Sequence, residues 1–311
     1  MAKPMRLILY YLIPFLCVPS LVFSAVEHYF KSAQNKSDNH KIKNIDFIYM
    51  LNLDQRPEKW EFSNQQLNPY GIFPYRFSAV NGWELSLDVI NDVGIKYESY
   101  MVKDLWGTAY LPDGDFHEHH EVMHSVGRNY FCHCMSRGAV GIVLSHLSIL
   151  QDALNSGYET IWVMEDDIVV IQNPHSLSDR ISELDRLVGH NNWDILFTDQ
   201  DTRNQQGQYV PCLGFARRPN FIPQHQERFT ARKDIHGTFR KVGARYGAYS
   251  MIIRRSGMVK ILDFIKTHKV FFPYDMEFYL PNNIHMYALI NDVVSTQPNA
   301  LSDNGGPNYI K

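Results

Sequence analysis

A chain of 311 residues, 45% of them apolar and 20% charged, is long and apolar enough to bury a full core. Its composition excludes a chain disordered by default, and a formal net charge of -3 leaves no basic footprint for nucleic acid as a main partner.

Lys3 and Arg6 precede LILYYLIPFLCVPSLVFSAV, which is uncharged from Leu7 to Val26 and reads as a secretory signal or a signal-anchor. Basic residues ahead of the apolar run predict a body on the non-cytoplasmic side, secreted or attached to a membrane through residues 7–26. Residues 1–26 are therefore expected to be a targeting segment outside the fold, residues 27–44, which hold the polar run KSAQNKSDNHKIKN, a linker, and 45–311 the folded domain. Three cysteines fall in that domain, Cys132, Cys134 and Cys212. Export would permit a bridge from Cys212 to one of the other two, and the sequence does not choose between them.

IDFIYMLNL (45–53) suits a buried strand, and DQRPEKWEFSNQQL a helix with Asp54 as N-cap and Pro57 in its first turn. FPYRFSAV (73–80) predicts a second strand ending at the turn signal Asn81-Gly82, and the turn-rich, histidine-rich stretch 84–135 reads as an insertion. Val140, Leu144, Leu147, Leu150 and Leu154 then mark one face of a helix stopped at Gly157. TIWVM is a strand ending in Glu165-Asp166-Asp167; a helix follows over 176–188, then the strand WDILFT ending in Asp199-Gln200-Asp201. YGAYSMIIRR (246–255) predicts a later strand, with GMVKILDFIKTH the helix after it. Strands alternating with helices imply an α/β fold with a mainly parallel mixed sheet, whose ligands bind beyond the carboxyl ends of the strands.

Three constellations bear chemistry. In VMEDDIVV three acids adjoin, and like charges about 4–5 Å apart repel by about 3–4 kcal/mol at an effective dielectric of about 20. Water in an exposed turn offsets that, or a hard divalent cation such as Mg²⁺ or Mn²⁺ bound by the oxygens, which would neutralise charge on a leaving nucleoside diphosphate. Asp199 also ends a strand and reads either as a general base or as part of a solvated loop with an arginine partner. HEVMH, with His120, Glu121 and His124, matches the zinc-hydrolase pattern in which two histidines one helical turn apart bind metal; a solvated insertion explains it as well.

Several blocks together resemble one family, the bacterial lipopolysaccharide-type glycosyltransferases of family 25, themselves similar to the collagen galactosyltransferases. IYMLNLDQRPEKW, RFSAVNGWEL, SRGAVGIVLSHLSIL, WVMEDDIVV and PYDMEFY follow the family's order over most of residues 45–300. Two positions depart from it: Asn81 stands where an acid is usual, and Ile142 where cysteine is common.

The resemblance implies a GT-A-type nucleotide-sugar transferase fold and transfer of a hexose such as galactose, with inversion. The donor would be a nucleotide sugar, UDP-linked foremost, and the acceptor a hydroxyl of a glycan, lipid-linked glycan or protein. It implies Glu165 and Asp167 as ligands of Mn²⁺ or Mg²⁺, with Asp166 turned toward the ribose or the sheet. Asn52 and Arg56 would lie by the nucleotide, Asn81 and Gly82 on a neighbouring loop, and Ser145 and His146 behind the donor pocket; His146 reads equally as a packed helical histidine. Asp275 is the first choice for the acid or base on the acceptor side and Asp199 the second. A zinc metallohydrolase built on HEVMH and a non-catalytic glycan-binding protein of the same fold stand as alternatives, the second separated by absence of turnover.

Overall fold

The computed structural model of the chain describes residues 25–112, 118–202, 206, 208–298 and 300–309. In order, the elements are β1 (Phe47–Asn52), α1 (Pro57–Leu67), β2 (Tyr75–Ser78), α2 (Leu87–Val93), β3 (Ile95–Lys96), β4 (Trp106–Tyr110), β5 (Glu118–Val122), β6 (Asn129–Cys132), α3 (Arg137–Asn155) and β7 (Thr160–Glu165). There follow β8 (Ile168–Val170), α4 (Ser176–Val188), β9 (Ile195–Phe197), β10 (Arg232–Ile235), β11 (Phe239–Val242), β12 (Ser250–Arg254), α5 (Arg255–His268), α6 (Tyr274–Glu277), β13 (Met286–Leu289) and β14 (Val294–Thr296).

Eight strands form the main sheet in the order β10-β11-β13-β9-β12-β7-β1-β2. The expected α/β class, a large sheet flanked by helices as in GT-A-like glycosyltransferases, is what the chain forms. The sheet is mixed rather than mainly parallel: β1 runs parallel to β2 and β7, and β9 to β13, while β12 is antiparallel to both β7 and β9. Periodicity reveals a strand but not its direction. After β9 the chain makes the β10–β11 hairpin and returns to the edge where β7 and β9 finish, so β12 starts there and must run back.

Both faces of the sheet are covered, which is why its inner strands read as unbroken apolar runs. Val140, Leu144 and Leu147 of α3 and Met258, Ile261 and Leu262 of α5 pack on Tyr49, Leu51, Ile161, Val163 and Ile253. On the other face Leu67 of α1 and Leu177, Ile181 and Leu184 of α4 pack on Ile48, Met50, Trp162, Met164 and Ile252. Each such side chain contributes at most about 1.5–3 kcal/mol by leaving water. The α3 stripe is the one its spacing predicted; the start of α1 is not, since Arg56 occupies the cap without a side-chain bond and Asp54 instead accepts from Ser78 Oγ at 2.7 Å.

Strands β3, β6, β4 and β5 make a separate four-stranded sheet. The polar run expected as a linker lies along the domain: Lys36 pairs with Asp152 at 2.8 Å, Asp38 accepts from Ile48 N at 2.9 Å, and Asn39 bridges Phe73. Residues 1–24, most of the targeting segment, lie outside the described residues, and among those described no helix is long and apolar enough to cross a membrane. Cys132, Cys134 and Cys212 are all free thiols, Cys212 donating to Gly214 O at 3.2 Å, so the bridge to Cys212 allowed by the sequence is not formed.

Candidate active site

Glu165 ends strand β7, and Asp166 and Asp167 form the turn that follows it. β1 and β7 finish side by side, with Leu51 opposite Glu165, and the chain reverses at Asp166-Asp167 into β8. Each acid has a different neighbour. Asp166 accepts from Asn52 Nδ2 at 2.6 Å, and Asn52, buried at the end of β1, also donates to Arg56 O at 2.8 Å and accepts from Arg76 Nε at 2.7 Å. Glu165 accepts from His146 Nε2 at 3.1 Å, and the buried His146 ring stacks on Tyr274 with centroids 4.1 Å apart. Asp167 is tied through its backbone, its carbonyl accepting from Gln297 N at 2.7 Å, while its Oδ1 is buried without a partner.

Electrostatics follow from this burial. Desolvation pushes Asp166 up to about 6, against the opposing pull of Lys59 and the Asn52 hydrogen bond. Desolvation, then the charges of Glu165 and Asp166, push Asp167 up to about 7. Among the described residues no group of three or more His, Cys, Asp or Glu side chains is arranged to hold a metal by itself. A cation here would therefore draw the rest of its shell from donor phosphates and water, as Mg²⁺ commonly does with one or two carboxylates. The orphaned Asp167 oxygen fits that requirement.

Beside the turn lies a cavity of about 100 Å³ lined by Asn52, Lys59, Asn81, Gly82, Ser145, Glu165, Asp166 and Asp167. Its far wall is the loop after β2, pressed onto the start of α3. A Cβ on Gly82 would sit 1.8 Å from Arg137 O, and one on Gly141 2.5 Å from Val80 O, so only glycines allow the approach. Ser145 locks it, accepting from Val80 N at 2.8 Å and donating to Gly141 O at 2.7 Å. The Gly-x-x-Gly-x-x-x-Ser-His spacing is thus a clamp for the loop carrying Asn81, followed by the histidine that holds Glu165.

The segment 300–309 forms the roof of that cavity. Arg56 NH1 donates to both Asp303 carboxylate oxygens at 2.7 and 2.6 Å, Trp83 Nε1 to Asp303 O at 2.8 Å, Lys59 Nζ to Leu301 O at 2.7 Å, and Asn81 Nδ2 to Tyr309 Oη at 2.7 Å. Lys59 Nζ lies 4.0 Å from Asp166 Oδ1 and 3.8 Å from Asp303 Oδ2. Lys59, Trp83 and Asp303 were not anticipated as site residues. Lys59 had a signal, one helical turn after Arg56 beside the strand end; Asp303, 247 residues from Arg56, had none.

Asp275 lines an adjoining cavity of about 120 Å³ together with Glu165, Tyr249 and Tyr274. It accepts from Gly247 N at 3.0 Å, and burial raises its pKa, with Glu165 adding to the rise. The helix bearing it is anchored from beneath: buried Glu277 pairs with Arg218 and accepts from Phe271 N and Phe272 N at 2.9 and 2.8 Å. Asp199 is elsewhere in character. Fully buried, it pairs with Arg245 at 2.5 Å and accepts from Ser295 Oγ at 2.9 Å, and it lines neither cavity. Burial lifts its carboxyl and the Arg245 charge opposes that.

HEVMH does not form the helix that zinc binding needs. Residues 118–122 are strand β5 and His124 lies beyond its end, so the two histidines are not stacked one helical turn apart. Glu121, which in a hydrolase would activate water, is tied to Arg128 at 2.5 Å and to the Tyr130 hydroxyl.

Sequence comparison bears on this arrangement. Residues 45–277 match the family model described as "Glycosyltransferase family 25 (LPS biosynthesis protein)". A protein of Drosophila melanogaster named "Glycosyltransferase 25 family member" is 27% identical over 140 residues, 45% of this chain and 19% of that protein. Proteins of the same name from Drosophila pseudoobscura pseudoobscura and Aedes aegypti are 27% and 28% identical over 124 residues, 40% of this chain and 16% of theirs. The matches span less than a fifth of these relatives' own length.

Proposed function

We propose, because this chain belongs to glycosyltransferase family 25, that it transfers a sugar from a nucleotide sugar to an acceptor hydroxyl at the carboxylate turn and its two adjoining cavities. The observation that supports this reading above all is the buried, unpartnered Asp167 Oδ1 beside Glu165, at the carboxyl edge of a covered sheet and within the field of Lys59.

In this reading the donor diphosphate lies against Lys59 and Arg56 in the first cavity, and the acceptor hydroxyl enters the second. The acceptor oxygen bonds to the anomeric carbon as the bond from that carbon to the diphosphate oxygen breaks, with inversion. Asp275 takes the hydroxyl proton; a carboxyl whose pKa is raised by burial is a better base than a solvated one. Lys59 and Arg56 offset the charge on the departing nucleoside diphosphate, and His146 keeps Glu165 in place. A divalent cation such as Mn²⁺ or Mg²⁺, held by Glu165 and Asp167, would supply further neutralisation of that charge. Asp166, bonded to Asn52, faces the sheet and orders the turn. A UDP-linked hexose as donor and a glycan, lipid-linked glycan or protein as acceptor belong to the same reading, as does a secreted or membrane-anchored enzyme with its body on the non-cytoplasmic side, which rests on Lys3 and Arg6 before the apolar run 7–26.

The test is a thermal-shift titration of nucleoside diphosphates with and without Mn²⁺, paired with an assay of nucleotide-sugar turnover. Asp167→Asn is expected to abolish the Mn²⁺-dependent shift and to lower turnover by about a hundredfold or more, in the range of lost electrostatic stabilisation at a transition state. An unchanged Mn²⁺-dependent shift in the variant would remove the turn from the mechanism, and absence of turnover with every donor would favour a glycan-binding role.

A further inference from the structure

The hairpin at the outer end of the main sheet places two lysines face to face: Lys233 of β10 and Lys241 of β11 are direct cross-strand partners. Such partners have Cβ atoms about 4.5–5.5 Å apart on one face, and like charges there repel. The adjacent pair in the same hairpin is complementary, Arg240 Nε donating to Asp234 at 2.6 Å. Both lysines are exposed, so water screens part of the repulsion, and an anion bound between them would relieve the rest.

What faces the lysines is a cavity of about 350 Å³, also lined by Arg228, His225 and His285, with no Asp or Glu in its wall. Neighbouring acids are paired, Glu227 with His225 at 3.4 Å, Asp194 with Lys260 at 2.7 Å and Asp234 with Arg240 at 2.6 Å. Arg228 is fixed in place, its Cζ 4.1 Å from the Phe229 ring centroid and its NH2 donating to Leu280 O and Pro281 O at 2.9 and 3.1 Å. Its Nε is buried with no partner. Burial lowers the Arg228 pKa with no acid in opposition, and burial followed by the Lys241 charge lowers that of His285.

We propose that this cavity is a binding site for a phosphate-bearing ligand, held by Lys233, Lys241 and Arg228. Arg228, held in place, and the two opposed lysines match a group of two or more negative charges, and a single carboxylate would leave most of the repulsion in place. The site is distinct from the carboxylate turn. Val242 pairs with Met286 and Met286 with Ile195, at the edge of the sheet opposite Glu165, and four strand spacings of about 4.8 Å separate β11 from β7, roughly 20 Å. It therefore does not depend on the glycosyl-transfer reading.

Inorganic pyrophosphate, titrated calorimetrically into the full chain in EDTA, probes the site without metal. The double variant Lys233→Ala/Lys241→Ala is expected to bind at least tenfold more weakly than wild type. Lys241→Glu supplies a variant whose fold is favoured, because it creates a complementary cross-strand pair: its Tm without ligand should rise, and the pyrophosphate-induced rise seen in wild type should vanish. Cosedimentation with phosphatidic acid vesicles, against phosphatidylcholine vesicles, distinguishes the source. Binding lost in the lysine variants with vesicles alone identifies a lipid headgroup, and with pyrophosphate alone a soluble phosphate. Binding of neither probe, or binding undiminished in both lysine variants, overturns the proposal.

Discussion

Carboxylates that look alike in the sequence do different work because their partners differ. Asp275 and Asp199 were both candidates for the acceptor-side base, and only Asp275 shares a cavity with Glu165, while Asp199 is sealed against Arg245. Asp275→Asn is expected to lower kcat by about two to four orders of magnitude while the affinity for a nucleoside diphosphate stays near wild type. Asp199→Asn should act on the fold instead, leaving the buried Arg245 unpaired at a cost of about 3–5 kcal/mol, read as a lower denaturant midpoint. A reversal of these two signatures would exchange the roles. The acidic turn itself was legible, since three carboxylates ending an apolar strand stand out; which one keeps a free oxygen was not, because that depends on Asn52 and His146 reaching in from β1 and α3.

Among the elements, α3 was the most readable and α1 less so. The stripe from Val140 to Leu154 sets the face of α3, yet the same helix has a second duty that apolar periodicity does not register, since Gly138, Gly141 and Ser145 on its other side receive the Asn81 loop and the 300–309 segment. Helix α5 ends at His268, packed between Phe221 and Phe264 at centroid distances of 4.9 and 4.8 Å. Burial, with the Arg218 charge adding to it, lowers its pKa to about 4 from an unfolded value near 6.5. The fold thus holds the neutral imidazole, and as pH falls the unfolded chain takes up the proton first. The contribution is complete above about pH 6.5 and is lost between there and about pH 4. His268→Gln should flatten the loss of stability across that window, measured as denaturant midpoints at successive pH values; an unchanged slope would show that the imidazole titrates freely.

For the whole molecule, the chain's last described residues close over its first strand. Asp303 occupies Arg56 and draws Lys59, the two cations nearest the carboxylate turn, and the cavity beneath it, about 100 Å³, is smaller than the roughly 300 Å³ or more that a ligand of nucleotide size fills. In the proposed reading, donor binding requires the 300–309 segment to shift and both cations to exchange partners. Asp303→Asn is expected to lower the KM for the nucleotide sugar several-fold with kcat little changed, since the charge that competes with the diphosphate for Arg56 is then removed. A raised KM would assign Asp303 to holding the donor rather than competing with it.

By itself the sequence determined the local elements: the apolar runs that become β1 and β7, the stripe of α3, and an acidic turn preceded by a glycine-serine-histidine helix in an order that matches a known family. These are properties of neighbours along the chain, where spacing and side-chain chemistry act directly. The tertiary structure alone decided the direction of β12, the burial of Asp199 with Arg245, the strand at HEVMH, and the meeting of Arg56 with Asp303. All but the strand at HEVMH, which its hairpin with β4 fixes, rest on contacts between segments far apart in sequence, whose energies come from burial and pairing and leave no periodic mark on the chain.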